Sequence, residues 1–225
     1  MSVISVEQRI MERIAWGQVA LGSERRVNMN DQGHALVSQG LPPLAELARN
    51  GKIFTKMVGN GATFKAPLTA IPAIATAATW FLFNDNDATS KACLIPLRAF
   101  AYLASGTVAA GLALAVQIPK GAQTRFTADY AAVVESSSIG LSTTSGAWLG
   151  NAKTMIGAQG AWELFWNGDN AATATIMGGG ITVDLLGERI IKPQYGMALE
   201  VISGAGTTPL FGVGVTFAVC DLDVA

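Results

Sequence analysis

Charge is what this chain has least of. Only 14% of its 225 residues are Asp, Glu, Lys or Arg, and the net charge is −1. Ordinary soluble domains carry about 25% charged residues. A near-neutral total leaves no electrostatic footprint for nucleic acid. With one histidine and two cysteines, the chain has no disulfide framework and no paired CxxC zinc site. It also has no GxSxG, HExxH or GxxxxGK[ST] motif, so the usual nucleophile elbow, zincin helix and phosphate loop are missing. No cofactor is expected.

Long uncharged runs are present, and they raise the question of a membrane span. Ala99 to Pro119 runs 21 residues without a charge, and Ala66 to Asn84 is a second such run. Length alone fits a bilayer. But Ser105-Gly106-Thr107 punctuates the first run, and from Leu112 it alternates: Leu112, Leu114, Val116 and Ile118 against Ala113, Ala115 and Gln117. Period 2 marks a strand with one buried face. The second run carries Pro67 and Pro72, which would break a helix twice. The flanks lack the clustered Lys and Arg that orient a span. The expectation is two core strands joined by a turn near Ser105-Gly106, and no membrane partner.

No secretory signal is read at the N-terminus, because Glu7, Arg9, Glu12 and Arg13 interrupt any apolar stretch. The expected place of synthesis is the cytoplasm. Val6 to Trp16 reads as a short amphipathic helix with Ile10 and Ile14 on one face. Residues 17–52 read as irregular apart from "PPLAELAR", where proline suits a first helical turn and Asn50-Gly51 supplies the stop. Residues 1–52 are therefore taken as a partly helical N-terminal arm. The first 65 residues hold eight basic against five acidic side chains, and the remainder seven against eleven. That is a mildly basic arm on a mildly acidic body.

From residue 53 the pattern is of strands. "KIFTKMV", "TWFLF", "ACLIPLRAFAYLA", "VAAGLALAVQI", "TRFTADYAAVV", "AWELFW", "ATATIM", "ITVDLL", "YGMALEVI" and "FGVGVTFAV" follow one another, separated by turn signals. Residues 136–160 read as loop. The 25 glycines fit many strands and tight turns. The fold class expected for 53–225 is all-β, a jelly-roll-like antiparallel β-sandwich. In the last strand, Gly212, Gly214, Thr216 and Ala218 make one face thin enough for something to approach closely.

Candidate chemistry is sparse. His34 stands in the arm with no orienting partner or nucleophile in view. In "FNDNDATS", Asn84, Asp85, Asn86 and Asp87 could offer oxygens to Ca²⁺, but Asn/Asp clusters between strands also form turns for their own backbone reasons, and no metal site is assigned. Glu135, Glu163, Asp169 and Glu200 could include a glycosidase pair if two faced one cleft. Trp162 and Trp166 share a face, and Trp80 and Trp148 lie near turns; aromatic faces of this kind serve a core or a sugar platform. Cys93 and Cys220 each sit in an apolar strand pattern and read as buried free thiols, with a disulfide left open.

The stretch "IIKPQYGMALEVISGAGTTPLFGVGVTFAV" (Ile190–Val219) has a Pro-containing loop, a tight turn at Tyr195-Gly196, an "ALEV" strand, a small-residue loop and a long final strand. In this it resembles the closing strands of jelly-roll structural proteins of tailed bacteriophage particles, of the decoration (cement) or head-fibre type. The resemblance implies a non-enzymatic virion component, self-associated as a homotrimer, whose arm reaches across the major capsid protein. Arg9, Arg13, Arg25 and Arg26 are then the candidate capsid contacts, against the alternative that each is solvated surface charge. The rival readings are a jelly-roll capsid, a fibre or spike protein that binds a host-receptor carbohydrate, and a glycan hydrolase on a sandwich.

Overall fold

The structure is a computed structural model. It describes residues 16–19, 23–26, 43–58, 64–70, 78–108, 111–124, 133–140, 144–153, 155–156, 161–167, 180–203 and 207–222. The chain divides into two compact units, residues 1–46 and 47–225.

In the first unit, β1 (Trp16–Val19) pairs antiparallel with β2 (Ser23–Arg26), with Trp16 opposite Arg26 and Gly17 opposite Arg25. This corrects the sequence reading, which placed Trp16 at the end of a helix and residues 17–52, apart from "PPLAELAR", in irregular chain. The two stretches are only four residues long, and the second, SERR, is wholly polar, so they carry no period-2 signal. The rest of the expected helix, from Val6, lies outside the described residues. Helix α1 (Pro43–Arg49) forms where proline and the Asn50-Gly51 stop place it. It ends in a Schellman motif: the Lys52 amide donates to Leu47 O and the Gly51 amide to Ala48 O. Gly51 takes the left-handed φ of 65° that this cap requires.

The second unit holds two antiparallel five-stranded sheets. The strands are β3 (Ile53–Val58), β4 (Ala78–Asn84), β5 (Ala92–Ser105), β6 (Leu112–Gln117), β7 (Val133–Ser137), β8 (Ala147–Lys153), β9 (Glu163–Asn167), β10 (Gly180–Asp184), β11 (Gly196–Ser203) and β12 (Leu210–Asp221). The first sheet has the order β10-β5-β12-β3-β7 and the second β8-β4-β11-β6-β9. The long uncharged run from Ala99 thus holds the end of β5 and all of β6, which belong to opposite sheets. Among the described residues no helix is long and apolar enough to cross a membrane.

The pairing is nested. β3 pairs with β12, β4 with β11, β5 with β10 and β6 with β9. The first of these eight strands therefore meets the last, the second the next to last, and so inward. β12 with β5 and β11 with β6 join the ladders into sheets. β7 and β8 fall in the connection between β6 and β9 and extend the sheets beside β3 and β4. β8 lies where the sequence reading had only loop. Its "AWLGNAK" is short and broken by Gly150, and it is held as an edge strand by β4. The expected strand from Thr124 begins, within the described residues, only at Val133; "ATATIM" lies outside them.

Inward-facing side chains of both sheets make one core. Phe54, Leu94, Phe211, Val213, Val215 and Phe217 come from the first sheet, and Trp80, Leu82, Leu114, Leu149, Met197 and Leu199 from the second. Each such side chain contributes about 1.5–3 kcal/mol by leaving water. Phe54 and Phe217, directly opposite on β3 and β12, stack with centroids 6.2 Å apart. Pro96 has no amide for the ladder. The β5–β12 register shifts there, so that Phe217 faces Pro96, Thr216 faces Arg98, and Leu97 bulges out. The freed Leu97 carbonyl accepts the Leu185 and Leu186 amides and anchors the turn after β10.

The second sheet is covered on both faces. β6 and β11 are buried along their whole length. Outside, Leu68, Trp162 and Leu164 pack over Ala113, Ala115 and Ile202, and Met155 and Trp162 pack with Phe81, Phe83 and Ala198.

Candidate functional site

The loop from Asn84 to Ala92 is built by its own Asn and Asp side chains. Asn84 is fully buried at the end of β4. Its Nδ2 donates to Ala92 O and Ile191 O, and its Oδ1 accepts both the amide and the Nδ2 of Asn86. Asp87 Oδ1 accepts the Thr89 amide and hydroxyl, and these bonds hold the Asp87 carboxyl below its ordinary range. "NDND" is thus a backbone lock. Among the described residues no three His, Cys, Asp or Glu side chains group as metal ligands.

The lock ties the loop to the turn Lys192–Tyr195. Gln194 Nε2 donates to Asn86 O, the Gln194 amide to Asn84 O, and the Asn84 amide to Tyr195 O. Pro193 and Gln194 are the central residues of this turn, which the Tyr195 amide closes onto Lys192 O. Gln194 has a φ of 64°, the positive value a type II turn demands after proline. The sequence reading put the turn one or two residues later, at Tyr195-Gly196. Gly196 is instead the first residue of β11, where a Cβ would lie 2.6 Å from Leu82 O.

Between loop and turn opens a cleft of about 600 Å³, lined by Thr89, Ser90, Lys91, Lys192, Gln194 and Tyr195 among others. Its lining combines lysine, threonine, serine, glutamine and tyrosine residues with Ala88, Ala122, Pro193 and Leu222. Such a set can hold an anionic or hydroxyl-rich group by charge-assisted hydrogen bonds. Tyr195 is half-buried against the core. None of these lining residues was read from the sequence as a site residue; Tyr195 was named only as part of a turn. The only signals were the turn composition of "FNDNDATS" and "KPQY", which places a loop and says nothing of two lysines meeting.

The four acids of the glycosidase reading do not converge. Glu135, at the β7 edge, pairs with Lys56 at 3.4 Å and accepts from the Ser145 amide and hydroxyl. Lys56 is buried, on the same face of β3 as Phe54 and Val58. Glu163, at the β9 edge, is bonded by Arg189. Glu200 is buried on the outer face of β11, and Asp169 lies outside the described residues. Edge, opposite edge and outer face leave no shared cleft among the three that are described.

Glu200 has its own chemistry. β4 parts from β11 after the Leu199–Trp80 pair, and Leu68 takes its place beside Val201 and Ser203. At that fork Glu200 Oε1 accepts the Thr79 amide, while Oε2 is buried with no hydrogen-bond partner among the described residues. Burial raises the Glu200 carboxyl from 4.5 to about 7, against the opposing pull of the Thr79 hydroxyl and amide.

Of the remaining candidates, Trp80 is fully buried in the core and presents no platform. Trp148 and Trp162 are half-buried. Arg25 and Arg26 stand in β2; Arg9, Arg13 and His34 lie outside the described residues. The thin face of β12 is occupied from within the chain: the Tyr102 ring packs on Gly212 and the Phe100 ring on Gly214. No family model matches this chain, and no curated protein matches it.

Proposed function

We propose that this chain is a non-enzymatic structural protein of a bacteriophage particle, a capsid decoration or cement protein assembled in the host cytoplasm. In this reading its sandwich is a jelly roll that joins copies of itself as a homotrimer, and its N-terminal arm with Arg9, Arg13, Arg25 and Arg26 reaches over the major capsid protein. The observation that carries the reading is the nested pairing of β3, β4, β5 and β6 with β12, β11, β10 and β9. Such nesting supports a double Greek key, the arrangement found in viral capsid and lectin domains. Composition adds support. With only 14% charged residues and exposed Ile139, Ile156, Leu186 and Ile190 on the sandwich, surface remains for neighbouring subunits to cover.

Light scattering on the purified full chain tests this. A mass of three chains supports the reading. A monodisperse monomer overturns the trimeric sandwich and favours the second reading, a fibre or spike protein that holds a receptor carbohydrate. That second reading rests on the cleft with Lys91, Lys192 and Tyr195.

A further inference from the structure

Cys93 and Cys220, 127 positions apart in sequence, are direct partners in the β5–β12 ladder. The Leu222 amide donates to Lys91 O, and hydrogen-bonded pairs recur every second residue of an antiparallel ladder. Cys93 and Cys220 are therefore themselves a hydrogen-bonded pair. The Leu94 amide and carbonyl confirm the alternation, since both turn the other way, to Ile191.

Residues so paired hold their Cα atoms about 5.5 Å apart. That lies inside the range of roughly 4.4–6.8 Å that a disulfide spans. Opposite residues also leave a sheet by the same face. Leu94 and Val219, the next pair along, point into the core, so both sulfurs stand on the outer face of the first sheet. Both cysteines are free thiols, Cys93 buried and Cys220 half-buried. The charges acting on them are Lys192 and Cys220 on Cys93, Lys52 on Cys220, and Asp221 on both.

We infer that Cys93 and Cys220 are a disulfide site, two thiols in register that close a cross-strand S–S bond when the chain meets a peroxide oxidant. The balance is simple. One sulfur attacks hydrogen peroxide; the O–O bond breaks and the sulfur becomes a sulfenic acid, with water released. The second thiol displaces the sulfenic oxygen as a second water. Two thiols and one peroxide give one disulfide and two waters, and the two electrons go to the peroxide. In a hydrogen-bonded pair the Cβ atoms stand toward the wide end of about 4.5–5.5 Å, whereas a disulfide prefers about 3.5–4.5 Å. The strands must pinch slightly, which makes the bond one that reducing agents reopen. The bond would lock β5 to β12 at one end of the sheet and close most of the second unit into a loop. It does not depend on what the sandwich is for.

The test is oxidation of the full chain with hydrogen peroxide at pH 8.5, since burial pushes both thiols above their ordinary range and the thiolate is the attacking form. The expected product has an intact mass lower by about 2 Da, a Cys93–Cys220 linked peptide, and no free thiol. Its Tm rises by about 5–10 °C, and dithiothreitol reverses every change. C220S, at the half-buried position, loses all of these changes; C93S does the same if it folds. Persistence of both thiols after prolonged oxidation, addition of two oxygens at either sulfur, or a disulfide only between chains each overturns the inference.

Discussion

Glu200 Oε1 accepts the Thr79 amide at the point where β4 leaves β11. A side chain here takes the place of a main-chain acceptor, and among the described residues its other oxygen is buried without a donor. The arrangement holds the fork together at the cost of desolvating an acid. That cost depends on pH, and its direction follows from the carboxyl's shift to about 7 from 4.5.

The folded state keeps the Glu200 proton between pH 4.5 and about 7, where the unfolded chain has given it up. Stability tied to this group is full below pH 4.5, falls as pH climbs through that window, and is lost above it. Glu200→Gln keeps an oxygen for the Thr79 amide and never ionises. Denaturant unfolding should find the variant within about 1 kcal/mol of wild type at pH 5 and more stable by about 2–3 kcal/mol at pH 8.5. Parallel stability–pH curves for the two proteins would remove the account.

Lys56 lies in the core-facing row of β3, and Glu135 on β7 is its direct cross-strand partner at 3.4 Å. Glu135 also holds Ser145, just before β8, and so links the edges of the two sheets. Glu135→Ala takes away the charge that neutralises a buried ammonium and should cost about 3–5 kcal/mol. Lys56→Met together with Glu135→Leu should recover most of that loss, because an apolar pair of similar volume suits the site. Equal losses in single and double variants, measured by urea unfolding, would show that the pairing is not what matters.

Tyr102 crosses above Gly212, its direct partner on β12, to donate its hydroxyl to Val58 O. A Cβ at position 212 would meet Tyr102 Cζ and Oη at 2.5 Å. Gly212→Ala should therefore cost about 1–3 kcal/mol through the crowding it creates, and the same glycine change in a Tyr102→Ala background should cost less. Additive effects in this cycle, read from thermal melts, would contradict the packing.

These cases mark where the sequence was legible. Alternation in "KIFTKMV", "ITVDLL" and "FGVGVTFAV" placed β3, β10 and β12 because one face of each is buried. β8 was missed because Gly150 and its small neighbours break the pattern, and only pairing with β4 makes it a strand. "GVGVT" did predict close approach, but what approaches was not readable, since Phe100 and Tyr102 lie over a hundred positions away. Cys93 and Cys220 read as buried free thiols with a disulfide left open, because their pairing is just as distant in sequence. Lys91 and Lys192 come to one cleft because two turns are locked together by Asn84, Asn86 and Gln194. That is a tertiary fact with no local signature.

Leu186 and Gly187 occupy the two central positions of the turn closed by the Glu188 amide on Leu185 O. Their φ values are 50° and 73°. Two successive left-handed residues suit Asn-Gly, and leucine there bears a steric cost of about 1–2 kcal/mol. Its side chain recovers little within this chain, being 76% exposed. Leu186→Asn should therefore raise the stability of the isolated chain by about 0.5–1 kcal/mol. A strained, exposed apolar residue is also what a contact between subunits would use, so the same change should weaken self-association if this turn lies in the interface. Calorimetry and light scattering on one sample separate the two effects. A variant that is more stable and less associated places Leu186 at a subunit contact. One that is more stable with unchanged mass places it outside. One that is less stable means the turn does not have the geometry described.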